Sequence, residues 1–175
     1  MTDGFEEAKE QRNWLERLGA RIPGYRGFQD RELRRDVDKL QREHLAKELE
    51  RAKGVARAKA RAYADSAKIG ALAAFDRLDR KLDGVAQSIR FADYGATGLF
   101  DVVKVRDAEL ERLYQFDLTL LEAVEAVSGD IAAIPPAGAG DPTAAVEAAI
   151  ARVQGIEDQW AGRKNVIGNV VKASA

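Results

Sequence analysis

The sequence predicts an all-α protein, an antiparallel bundle of three to four long helices with a short N-terminal helical arm. Three observations point there. Apolar residues recur every three or four positions along most of the chain, the spacing of one helix face. Alanine, the strongest helix former, is abundant. Glycine and proline gather at a few junctions, where they break the pattern into segments. Strand-like alternation is missing, and only residues 100–105 read as extended.

Taken in order, the first segment is Phe5 to about Leu18, with its apolar residues Trp14, Leu15 and Leu18 near the end. A glycine- and proline-containing loop follows, from Gly19 through Pro23 and Gly24 to Gly27. The middle then runs from Gln29 to about Ala92 without a proline, and Asp30 can cap it. As one straight helix, 29–92 would be roughly 95 Å long. Its apolar face changes phase twice, however. Leu33, Val37, Leu40 and His44 share one face; Leu45, Leu49, Ala52, Ala56 and Tyr63 share another; Phe75, Leu78, Leu82, Val85 and Ile89 a third. The phase jumps predict an interruption between about Ser66 and Leu72, with Gly54 and Gly70 the easiest places to bend.

A further helix is expected from about Arg106 to Ala133. Its broad stripe, from Leu110 to Ile134, suits a helix central to a bundle. Acids at Asp107, Glu109 and Glu111 match the positive end of its dipole. Residues 135–140 form the clearest linker. After it, Asp141-Pro142 supplies an N-cap and a first-turn proline for a helix to about Ala161, with Val146, Ile150, Val153, Ile156 and Trp160 on one face. The expected organisation is a helical arm with its loop at 1–27, the bundle at 28–165, and an apolar tail at 166–175 that docks or pairs with a partner.

Composition then limits the chemistry. The formal charge is −1, from 28 Lys+Arg against 29 Asp+Glu, which argues against a globally basic nucleic-acid binder. No cysteine means no disulfide, thiolate metal site or cysteine nucleophile. The single histidine, His44, rules out the paired Glu-x-x-His motifs of a di-iron bundle within one chain. His44 itself is either a partly buried packing residue or a proton sensor near pH ~6.5. No glycine begins a phosphate-binding loop ending in Gly-Lys-Ser/Thr, and no serine sits in a nucleophile elbow. Asp76, Asp79 and Asp83 share a helix face, but Arg77, Arg80 and Lys81 interleave them, as on a solvated, salt-bridged surface. No catalytic residue, metal site, cofactor or small-molecule substrate is expected. No apolar run reaches the length of a membrane span and the N-terminus is acidic and polar, so a cytosolic protein is expected.

Two features remain as candidates for function. Tyr25, Arg26 and Phe28 stand between glycines, and tyrosine and arginine are favoured at interfaces, so this is either a recognition loop or a tight turn whose aromatics seal the end of the bundle; Trp14 in the arm, and Tyr94, Leu99 and Phe100 in the second loop, extend the partner-binding set. Separately, Lys53, Arg57, Arg61 and Lys68 make a basic ridge beside the alanine stripe. The ridge faces the acidic 106–130 helix, of this chain or of a second copy, or meets phosphates of anionic lipid or nucleic acid, or is simply a solvated face. The alanine stripe buries little area and is either thinly covered or completed by another subunit. The function expected is therefore a non-enzymatic helical-bundle interaction protein, self-associating or serving as an adaptor or scaffold in a larger assembly. Peripheral anionic-membrane or nucleic-acid binding through 51–68 is the alternative.

Overall fold

A computed structural model describes residues 3–93 and 98–174, with side chains at Lys9 and from Arg12 onward. Among these residues the fold is all-helical, with no strand. The helices are α1 (Asp3–Arg21), α2 (Arg34–Asp65), α3 (Leu72–Arg90), α4 (Asp107–Ala132) and α5 (Thr143–Ser174). A 3-10 turn, Ile69–Ala71, leads into α3. No described helix is long and apolar enough to cross a membrane.

The middle of the chain breaks where its apolar phase jumps, and the break has a defined geometry. Ala67 adopts a left-handed φ of 58°. Its N–H reaches Ala64 O at 2.9 Å, while Lys68 N–H reaches Tyr63 O at 2.9 Å. This pair of bonds is the Schellman arrangement that satisfies carbonyls at a helix end. Gly54, the other predicted bend, is passed without interruption. Asp30 caps a turn rather than the helix: its Oδ1 accepts the Glu32 N–H at 3.0 Å, and α2 begins later, with Val37 N–H on Leu33 O. Asp141 does cap α5, accepting the Thr143 N–H at 3.0 Å and its hydroxyl at 2.6 Å. Residues 100–105 form an irregular loop rather than a strand.

The last helix is longer than expected. Residues 166–174, anticipated as a trailing tail, are the final turns of α5. Ile167 and Val170 are buried at 0% and 1% exposure, continuing the stripe of Val153, Ile156 and Trp160. That burial outweighs the roughly 1 kcal/mol helix penalty of each of Gly162 and Gly168.

The chain divides into two compact units, Met1–His44 with Ala92–Leu121 and Gln159–Ala175, and Leu45–Phe91 with Glu122–Asp158. The second unit is an up-down-up-down four-helix arrangement. Its direction can be read from ion pairs: Glu50, Lys53 and Arg57 of α2 meet Arg90, Asp83 and Asp79 of α3, so the numbers rise on one helix as they fall on the other. Between α3 and α5 they rise together, Arg77 to Glu147 and Lys81 to Glu157. Its core holds Leu49, Phe75, Leu78, Leu82, Val127 and Val153. The alanine stripe is covered by this chain itself, with Ala52 and Ala56 fully buried, so it is not a bare face awaiting a subunit. Tyr63 closes one end, its hydroxyl donating to Pro135 O at 2.9 Å.

The first unit gathers α1, the 22–33 loop, the start of α2, the 98–106 loop, the first half of α4 and the end of α5. Its interior is partly polar.

Candidate functional site

The start of α2 inverts the usual arrangement of a helix. The residues turned inward at spacing i, i+4 and i+7 are Arg34, Asp38 and Gln41, each 1% exposed. The apolar residues predicted to face the core divide differently. Val37 is buried, whereas Leu33, Leu40 and His44 are only half-buried. Polar groups are costly to bury unless paired, and two of these three are thoroughly paired.

Arg163 of α5 is the centre of the first network. Its Nε and Nη2 make a fork onto Asp117 of α4 at 2.7 and 3.0 Å, and its Nη1 donates to Asp38 at 2.8 Å. The second oxygen of Asp38 accepts Arg42 Nε at 2.8 Å. Two arginines thus balance two aspartates, with Arg42 reaching in from a partly exposed position. Planar guanidinium suits this work because its donors match a carboxylate two at a time. The same guanidinium lies 5.4 Å from the Trp160 ring and 6.0 Å from the Phe28 ring.

Arg34 supports the loops. It donates through Nε to Phe28 O at 2.7 Å and through Nη1 to Leu99 O and Val102 O at 3.0 and 2.6 Å. One buried side chain therefore bonds the backbone of both connecting loops.

This burial decides most of the predicted partner-binding residues. Phe28 is fully buried, stacked on Tyr114 at 6.1 Å and edge-on to Tyr25 at 6.1 Å; its N–H donates to the Tyr114 hydroxyl at 2.8 Å. Gly27 passes so close that a Cβ there would lie 2.6 Å from the Tyr114 oxygen, at a φ of +79°. Tyr25 and Leu99 are also buried. These three are core residues sealing the unit, not surface anchors, because the loop glycines fold the aromatics inward. Trp14 is half-buried, with Arg17 stacked over its ring. Phe100 is half-buried under the guanidinium of Arg35 at 4.7 Å. Tyr94 lies outside the described residues. Burial raises the Tyr114 pKa to about 12, and burial, reinforced by nearby Asp117, holds Tyr25 well above the ordinary phenol value.

Arg26 stays exposed. With Gly24, Leu33, Asp36, Val37 and Leu40 it lines a largely apolar cleft of about 340 Å³. The half-buried leucines of α2 are thus its walls, and Arg26 and exposed Asp36 its charged members. Asp36, Leu33 and Leu40 were not singled out from sequence as contact residues, since the leucines read as core. Asp117 and Arg163 were missed as well. A signal existed: each stands in register within an apolar stripe, Asp117 between Leu113 and Leu120, Arg163 between Trp160 and Ile167.

The basic ridge resolves within the second unit. Lys53 pairs with Asp83 and Arg57 with Asp79, both at 2.5 Å, so the acidic face of α3 takes the place expected for the 106–130 helix. The Arg57 fork lowers the Asp79 pKa. Arg61 and Lys68 remain exposed, and Lys68 borders a cleft of about 480 Å³ with Tyr63, Gly140 and Asp141. Among the described residues no group of three or more His, Asp or Glu could hold a metal ion. No protein family, curated protein or solved structure matches this chain.

Proposed function

We propose that this is a non-enzymatic helical-bundle interaction protein, self-associating or serving as an adaptor in a larger assembly. The observation that carries the reading is the inverted start of α2. Its interior positions are given to Arg34, Asp38 and Gln41, and its leucines are left to wall an open cleft. Apolar side chains kept half-exposed on a rigid frame gain by meeting a partner, and a preorganised surface loses little entropy on binding. The convergent ionisable groups, Asp38, Asp117, Arg163 and Arg34, are wholly buried and bonded to one another or to backbone, which supports a structural role for them.

Light scattering after size exclusion, across a concentration series, tests this. Masses above the 19.2 kDa of one chain are expected. A constant monomer mass, together with no cross-linked partner recovered from the native cell, would overturn the reading.

The alternative, phosphate binding through 51–68, has weaker support because Lys53 and Arg57 are neutralised by Asp83 and Asp79. Sedimentation with anionic liposomes and a duplex-DNA mobility shift should show no binding at moderate salt. Salt-sensitive binding lost on Arg61→Gln/Lys68→Gln would reinstate it.

A further inference from the structure

We propose that the cleft at the start of α2 docks a second copy of this chain about a twofold axis, with Arg26 of each copy set against Asp36 of the other. This rests on the self-association reading above and names its surface. A twofold interface must be self-complementary: whatever residue one copy presents to its neighbour, it receives back. The cleft meets that requirement in both of its parts. Half-buried Leu33 and Leu40 wall the cleft beside buried Val37, and these two apolar walls can meet the same two of a second copy. Arg26 and Asp36 carry opposite charges beside those walls, both exposed, and neither forms an ion pair among the described residues. A partner with a single-signed surface would satisfy one of them and repel the other. A twofold-related copy offers an aspartate to each arginine and an arginine to each aspartate.

Charge reversal distinguishes this arrangement from other modes of association. Arg26→Glu and Asp36→Arg each place like charges together twice per dimer, and each alone should weaken dimerisation at least ~10-fold. Mixing the two variants should restore a heterodimer. The glutamate introduced in one chain then meets the arginine introduced in the other, and the unaltered Asp36 of the first meets the unaltered Arg26 of the second. The double variant on one chain should dimerise with itself again. Both positions are exposed, and unchanged thermal melts would confirm that the variants fold. If the wild-type chain self-associates but neither single variant weakens it, the cleft is not the interface, while self-association stands. If single variants weaken it and the mixture fails to recover, reciprocal Arg26–Asp36 pairing is wrong. A wild-type monomer at every concentration would remove both this inference and the self-association it rests on.

Discussion

Arg163 shows how one charged residue can hold an interior together without lending it reactivity. Its guanidinium is fully buried and meets Asp117 and Asp38 at hydrogen-bonding distance. Removing one partner strands a charge away from water, so Asp117→Ala should lower stability by about 3–5 kcal/mol in urea denaturation. Asp79→Ala, which breaks the half-exposed pair with Arg57, should cost less than ~1 kcal/mol by the same measurement. The contrast separates burial from mere proximity of charge. Two of the buried tyrosines respond to alkali instead. Tyr25 and Tyr114 hold their protons more tightly when folded than when unfolded. Their contribution is therefore complete below the ordinary phenol pKa near ~10 and is lost as pH rises toward the folded value, about 12 for Tyr114. Melting temperature should fall over that interval, with late tyrosinate absorbance appearing together with unfolding. Tyr25→Phe should flatten the fall, and a profile identical to that of the unaltered chain would show that Tyr25 does not contribute.

Elements end and continue here for different reasons. α2 stops at Asp65 because Ala67 takes a left-handed conformation that closes the helix end, a site usually given to glycine. Ala67→Gly should raise stability by about 1 kcal/mol, since the left-handed penalty of a Cβ disappears. Gly54 is the reverse case. It lies exposed inside α2 with nothing within 4 Å of where a Cβ would stand, so Gly54→Ala should add about 0.5–1 kcal/mol. Chemical denaturation of the two single variants checks both, and a loss at Gly54 would mean that the glycine serves some close approach. α5, in contrast, runs through Gly155, Gly162 and Gly168 because Ile156, Trp160, Ile167 and Val170 remain buried along one face.

For the molecule as a whole, the two units draw on different interiors. One is filled by leucine, alanine and phenylalanine; the other is organised around paired charges and aromatic rings. Asp38, Asp117, Phe28 and Trp160, the groups around Arg163, all belong to the first unit. Hydrogen exchange of Asp117→Ala should therefore lose protection in 3–44, 98–121 and 159–174 while 45–91 and 122–158 keep theirs. Equal loss in all segments would show that the chain opens as a single cooperative body.

Periodicity alone determined that the chain is helical, where the middle segment breaks, and where α4 lies, because these depend on residues near one another in sequence. Asp141 before Pro142 was likewise enough to start α5. It could not show which stripe faces inward at the start of α2. Leu33, Leu40 and His44 form the more apolar face, yet Arg34, Asp38 and Gln41 take the interior. Asp117 and Arg163 make that possible, and they are far from α2 along the chain. The basic ridge had the same ambiguity, since a row of lysines and arginines does not reveal which acidic helix will meet it. A charge can be buried only when its partners, an opposite charge as at Arg163 or backbone carbonyls as at Arg34, arrive from elsewhere in the fold, so its environment is decided by tertiary packing rather than by its neighbours in sequence.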